Sequence, residues 1–294
     1  MSHRNAVLTM LATTLLWSIA GVVTLQLESA KSFEVTFWRS FFTSAALLVL
    51  LPWLRGPSRV WRSIAEGGAT IWISGVCWSV MFTAFMLALT LTTVANVLVT
   101  MALAPLFTAL IAWLVLGHRL AARTWVTVFV AGLGIGWMYA NEVSGADPKH
   151  LLGSAVALCV PVAAAINWTV IQVSRTRADQ DLLPAVLIGA VLSALMTLPL
   201  AMPFSGSAHD VGWLALLGVA QLAIPCLMSV SAGRALSAPE AALLALLEIV
   251  FGVAWAWLGG HEVPAPHVLG GGLIVVAALA GNEMLALRRR IAPG

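Results

Sequence analysis

Charge is what this chain has least of. Only 9% of its 294 residues are Asp, Glu, Lys or Arg, while 61% are hydrophobic. A soluble domain carries about 25% charged residues. So few charges cannot cover a water-exposed globule of this size, so most of the surface must face lipid. The net charge is +3, but the basic residues sit singly or in short groups between apolar runs. That scatter excludes a phosphate-binding stripe, and with it a nucleic-acid partner. Cysteine is scarce as well. Cys77, Cys159 and Cys226 each lie inside an apolar run, and an odd count there excludes a disulfide framework and reads as small packing residues. The chain has no HExxH, Walker loop, GxSxG or paired-carboxylate motif, and its histidines and acids lie far apart. No enzyme centre, metal site or cofactor cradle can be assembled from it. No connection between apolar runs is long enough for a folded soluble domain.

What the chain has instead is apolar runs of membrane length. A bilayer crossing takes roughly 20 mostly apolar residues. Ten runs qualify, at 6–27, 34–54, 68–89, 93–116, 121–140, 151–173, 182–202, 211–233, 239–258 and 267–287; they are spans 1 to 10 below. The expected fold class is an all-α integral membrane protein of ten transmembrane helices. The longest gap, Arg55 to Gly67, has the size of one surface helix. Span 1 follows Arg4, as a secretory signal would, but it exceeds a typical apolar region of about 7–15 residues and no small-x-small cleavage site follows.

Basic residues set the orientation. With the N-terminus inside, the inner set is Arg4, Arg55, Arg59, Arg62, Arg119, Arg123, Arg175, Arg177, Arg234, Arg288, Arg289 and Arg290. Only Lys31, Arg39 and Lys149 of the 15 basic residues fall outside. Both termini are therefore expected in the cytoplasm.

The runs repeat a plan. Leu91 to Arg119 carries Thr93-Val94-Ala95-Asn96, an apolar run to Trp113, then Gly117-His118-Arg119. Leu236 to Glu262, about 144 residues further on, carries Ser237-Ala238-Pro239-Glu240, an apolar run to Trp257, then Gly260-His261-Glu262. Gly-rich segments follow each and end in Asn141-Glu142 and Asn282-Glu283. Ten spans split into halves of five, 1–145 and 146–294. An odd number per half makes the second copy enter from the opposite face, so the halves are expected to be inverted repeats about an axis in the membrane plane. Duplicated multi-span proteins of this kind are most often transporters with a site between the halves.

Further residues carry a family resemblance. They are Leu15-Leu16-Trp17-Ser18 in span 1, Phe37-Trp38-Arg39-Ser40 in span 2, and Gly75 with Phe85-Met86-Leu87-Ala88-Leu89 in span 3. The matched stretches of spans 4 and 9 and the glycines of spans 5 and 10 complete the set. With these the chain resembles the EamA type of the drug/metabolite transporter superfamily, and within it the exporters of amino acids, aromatic ones in particular. The resemblance implies export of small organic metabolites across a bacterial inner membrane. One departure stands out. The family often carries a Glu-Pro pair in span 4 or 9, whereas here span 4 has Ala104-Pro105 and span 9 has Glu248-Ile249.

Seven residues are candidates for substrate binding: Trp17, Trp78, Phe82, Asn167, Trp168, Gln221 and Glu248. Glu248 lies mid-span among Leu246, Leu247, Ile249 and Val250. A charge there costs about 2.5–3.5 kcal/mol even on the lenient scale. It is read as a contact for a substrate amine, as a proton carrier, or as a structural acid bonded to a neighbouring helix. Trp17 lies too deep for an interfacial belt, and Thr13, Trp17, Gly21 and Thr24 share a face that suits either a wet pocket wall or helix packing. Span 6 shows a similar stripe with Trp168, and Asn167 beside it. The repeat aligns Trp78 with Gln221 and Phe82 with Pro225. Gln221 in mid-span needs a hydrogen-bond partner, and aromatic rings opposite amides suit a compact solute with an apolar or planar side chain.

Arg39, near the outer end of span 2, is expected to snorkel to headgroups or pair with Glu34 in preference to binding substrate, which is the alternative. Asn96 and Glu240 are expected as caps or first-turn residues. The glycines at 132, 134, 136 and 270–272 are expected to pack helices within one protomer or to form a dimer interface, leaving monomer and homodimer both open. Pro105, Pro161 and Pro225 are expected hinge points. The expected partners are lipid and a small, amino acid-like substrate, carried by alternating access; a channel-like pore, or a carrier of nucleotide sugars or other metabolites within the same superfamily, is the alternative.

Overall fold

Apolar runs this long fold as helices because a bilayer leaves the backbone no partner but itself. The computed structural model describes residues 2–30, 32–116, 122–143, 148–174, 181–233, 244–245, 247–260 and 263–291. Among these residues there is no strand. Six helices are apolar and at least 18 residues long: His3–Thr24, Phe33–Arg55, Gly68–Leu91, Pro148–Asn167, Pro184–Ala201 and Ala208–Ser229. Four shorter apolar helices, Val94–Thr108, Trp125–Gly134, Leu247–Gly259 and Pro266–Asn282, fall within spans 4, 5, 9 and 10. The chain is a multi-pass membrane protein. One amphipathic helix, Pro57–Glu66, occupies the gap between spans 2 and 3, entered through Gly56 at φ 83°, a conformation that favours glycine, with Pro57 opening the helix.

Several buried hydroxyls inside the spans are satisfied on their own helices. Thr13 donates to the Thr9 carbonyl (2.9 Å), Thr100 to Asn96 (2.8 Å), Thr169 to Ala165 (2.9 Å) and Thr197 to Ser193 (2.7 Å). This pattern removes their desolvation cost without a second helix.

Three spans are not continuous α-helices. Span 1 divides into His3–Ser18 and Ala20–Thr24. Span 4 divides into Val94–Met101, capped by the Thr93 hydroxyl on the Asn96 N–H (3.3 Å), and Ala104–Leu116. Pro105 cannot donate to the Met101 carbonyl, which accounts for that break. Span 8 carries a π-helical stretch, Leu217–Ala223, between Ala208–Leu216 and Ile224–Gly233. Its cause is legible: Pro225 lacks the N–H that would bond the Gln221 carbonyl, and the Ile224 N–H reaches five residues back to Val219.

Packing joins the first five spans to the last five. Span 2 packs on span 7 and span 5 on span 10. Span 3 packs on spans 6 and 7, and span 8 on spans 1 and 2. Span 4 packs on span 6, and span 9 on span 1. The Gly-rich segments of spans 5 and 10 meet inside this one chain, where a Cβ on Gly134 would lie 3.1 Å from the Gly271 carbonyl.

Two loops are tied by two fully buried carboxylates. Asp210 accepts the N–H groups of Glu28, Ser29 and Ala30 (3.0 Å each) and the Ser29 hydroxyl (2.7 Å). Glu34 accepts the N–H groups of Ser205 and Gly206 (2.9 Å each) and the Ser205 hydroxyl (3.0 Å). Loop 25–30 of the first half is thus held by an acid of the second, and loop 203–207 of the second by an acid of the first.

Candidate functional site

A polar cluster lies where spans 1, 2, 3, 8 and 9 converge, and Arg39 is at its centre. Arg39 neither snorkels nor pairs with Glu34, contrary to the expectation from the sequence. Glu34 is already saturated by Ser205 and Gly206, and Arg39 is only 2% exposed. Its Nε and Nη2 both donate to Gln221 Oε1, at 3.2 and 2.8 Å. Its Nη1 has no hydrogen-bond partner among the described residues. The guanidinium carbon lies 5.6 Å from the Phe85 ring centre and 6.0 Å from that of Phe82, within cation–π range.

Two local features of span 8 bring Gln221 to this place. Gly218 lets the span approach span 2 closely: a Cβ there would fall 2.7 Å from the Arg39 carbonyl oxygen and 2.7 Å from Phe42 Cβ. Thr43 then donates its hydroxyl to the Gly218 carbonyl at 3.0 Å. The π-helical stretch turns Gln221, one turn further on, toward Arg39. The amide's other end donates to the Trp17 carbonyl at 3.1 Å, so one side chain links spans 1, 2 and 8.

Around these groups stand Trp78, tilted against Phe82 with ring centres 5.4 Å apart, and Trp17. Trp17, Trp78, Phe82 and Cys226 belong to one apolar cluster. Trp17 and Trp78 are half-buried, as is Glu248 in the first described turn of Leu247–Gly260. Glu248 interacts electrostatically with Arg39, yet no ion pair within 4.0 Å joins the two among the described residues.

Of the candidate residues, Trp17, Trp78, Phe82 and Gln221 are brought together. Asn167 is engaged by span 3. It is 2% exposed and accepts the Ser74 hydroxyl at 2.6 Å, a tie between spans 3 and 6. The Trp168 side chain and Glu240 lie outside the described residues. Gly21 belongs to packing, not to a pocket wall, because a Cβ there would collide with Val94 at 2.3 Å. Arg39 is the residue that sequence reasoning misassigned. Its signal was present in Gln221, a mid-span amide that required a buried partner.

Comparison with known proteins agrees with this class. Residues 4–140 match the EamA-like transporter family. It is 24% identical over 263 residues to the S-adenosylmethionine uptake transporter of Rickettsia prowazekii (strain Madrid E), covering 84% of this chain and 81% of that protein. A solved crystal structure, 18% identical, superposes over 98% of this chain and 99% of its own with a TM-score of 0.66, which carries the fold across both halves.

Proposed function

We propose that the chain is a secondary transporter of small metabolites working by alternating access, with residues 1–145 and 146–294 as inverted five-helix units. The observation that carries this reading is the symmetry of the packing. Exchanging each span for its partner five places away converts span 3 on 6 into span 8 on 1, span 3 on 7 into span 8 on 2, and span 4 on 6 into span 9 on 1, while spans 2 on 7 and 5 on 10 map onto themselves. A pseudo-two-fold axis in the membrane plane has that consequence, and two such units supply two states of similar energy, one open to each side. One chain suffices to form the site, which is assembled from spans 1, 2, 3, 8 and 9.

The cargo is a small solute with an α-amino carboxylate end and an apolar or planar remainder. Neutral or aromatic amino acids fit this description, as does S-adenosylmethionine, the cargo named for the Rickettsia relative. Family resemblance favours export from the bacterial cytoplasm with both termini inside. The relative's name favours uptake, and an alternating-access carrier without strong coupling runs either way with the gradient. Glu248 is the group through which protons would couple.

The test is counterflow in proteoliposomes against L-phenylalanine, L-leucine, S-adenosylmethionine and a nucleotide sugar. Saturable counterflow of an α-amino carboxylate is expected, slowed by Trp17→Ala. Single-channel currents in place of counterflow would indicate a pore. Flux that responds neither to a pH gradient nor to Glu248→Gln would indicate facilitated diffusion.

A further inference from the structure

The geometry points to Arg39 as the group that binds the carboxylate of the cargo. This assignment rests on the transporter reading above and names what the site recognises.

The argument starts from an imbalance. A guanidinium has five N–H donors in a fixed planar fork. In Arg39 one amide oxygen occupies Nε and Nη2, two rings flank the carbon, and Nη1 is left over. Neither an amide nor a ring carries a full negative charge, so the cation is buried with partial compensation only. An isolated buried cation of this kind is costly unless an anion meets it. The residues that would discharge it permanently are engaged elsewhere: Glu34 by Ser205 and Gly206, and Asp210 by loop 28–30. The remaining acid in its field is Glu248, which is out of ion-pair contact. A compensating anion that enters and leaves fits this arrangement.

Carboxylate is the anion that the surroundings favour. Nη1 offers a charge-assisted hydrogen bond, while Gln221 holds the fork in place from the opposite edge. Phe82, Phe85, Trp17 and Trp78 provide apolar walls for the remainder of the molecule.

Counterflow in proteoliposomes tests the assignment from the ligand side and from the protein side. With the unmodified protein, L-phenylalanine and S-adenosyl-L-methionine are offered as the driving solutes. Phenethylamine and L-phenylalanine methyl ester, which lack the carboxylate, are offered as competitors. The esters and amines are expected to compete at least about tenfold more weakly than the parent acid. Arg39→Gln is expected to raise KM for the acid by about tenfold or more and to erase its preference over the methyl ester, and Arg39→Lys is expected to recover part of both. Equal competition by acid and ester in the unmodified protein overturns the assignment, and that result needs no variant to fold. Unchanged KM in Arg39→Gln overturns it as well. Absence of counterflow with every α-amino carboxylate removes the cargo reading itself, and this assignment with it; counterflow that ignores the carboxylate removes the assignment alone.

Discussion

Replacing Gln221 by Leu keeps the volume of the side chain and removes its amide. Arg39, 2% exposed, then loses the acceptor for both its Nε and Nη2 bonds, and the Trp17 carbonyl loses its donor. Hydrogen bonds to charged groups contribute about 1.5–3 kcal/mol, and stripping the partner from a buried charge costs about 3–5 kcal/mol. The two bonds share one oxygen and are not additive, so a loss of about 3 kcal/mol is the working figure. For a chain of a few hundred residues this lowers Tm by roughly 6–12 °C. Thermal unfolding of the purified protein in detergent measures it. The double variant Arg39→Met, Gln221→Leu removes the buried charge along with its partner, and is expected to melt above the single Gln221→Leu. A single variant that melts with the parent protein, or a double variant that melts below the single, would refute the claim that this amide is what holds the buried guanidinium.

Other expectations follow from the same geometry. Gly218→Ala places a Cβ 2.7 Å from the Arg39 carbonyl oxygen, and overpacking of this kind costs about 1–3 kcal/mol. A fall in Tm of several degrees is expected, whereas Gly132→Ala, whose Cβ meets nothing within 4 Å, should melt unchanged. Asp210→Asn leaves one oxygen to accept what two now share, so amide hydrogen exchange at residues 28–30 should accelerate several-fold while the rest of the bundle holds its protection. Asn167→Leu breaks the bond from Ser74 and should lower stability modestly, by about 1 kcal/mol, with the KM for cargo unmoved. A tenfold rise in that KM would return Asn167 to the site.

How much of this was legible beforehand depends on the residue. The membrane class followed from scarcity of charge, because no arrangement of so few charged residues can solvate the surface. The depth of Trp17, beyond the reach of an interfacial belt, was legible, and Gln221 aligned with Trp78 through the repeat. Asn167 looked equivalent in sequence, yet its partner is Ser74 on a neighbouring helix, and periodicity cannot tell a face toward a cavity from a face toward another helix. Arg39 was misread because distance from the end of a span measures depth only, and a long cationic side chain can turn either way. The π-helical stretch that decides the matter arises from Pro225, four residues beyond Gln221, so the information was in the chain but acts through backbone geometry that composition does not reveal. The break in span 1 was hidden, since apolar content continues unbroken through Ile19, whereas that in span 4 falls beside Pro105, one of the expected hinge points.

The proposed function requires a path from water to Arg39, Gln221 and Glu248. Trp17 is half-buried and its carbonyl accepts from Gln221, so Trp17→Cys in a chain with Cys77, Cys159 and Cys226 replaced by Ala provides the most direct probe. A membrane-impermeant thiol reagent applied to one side of oriented vesicles at a time should modify this cysteine, and bound L-phenylalanine or S-adenosylmethionine should slow the reaction. A cysteine that stays unmodified from both sides, or that reacts at the same rate with and without cargo, would contradict the account.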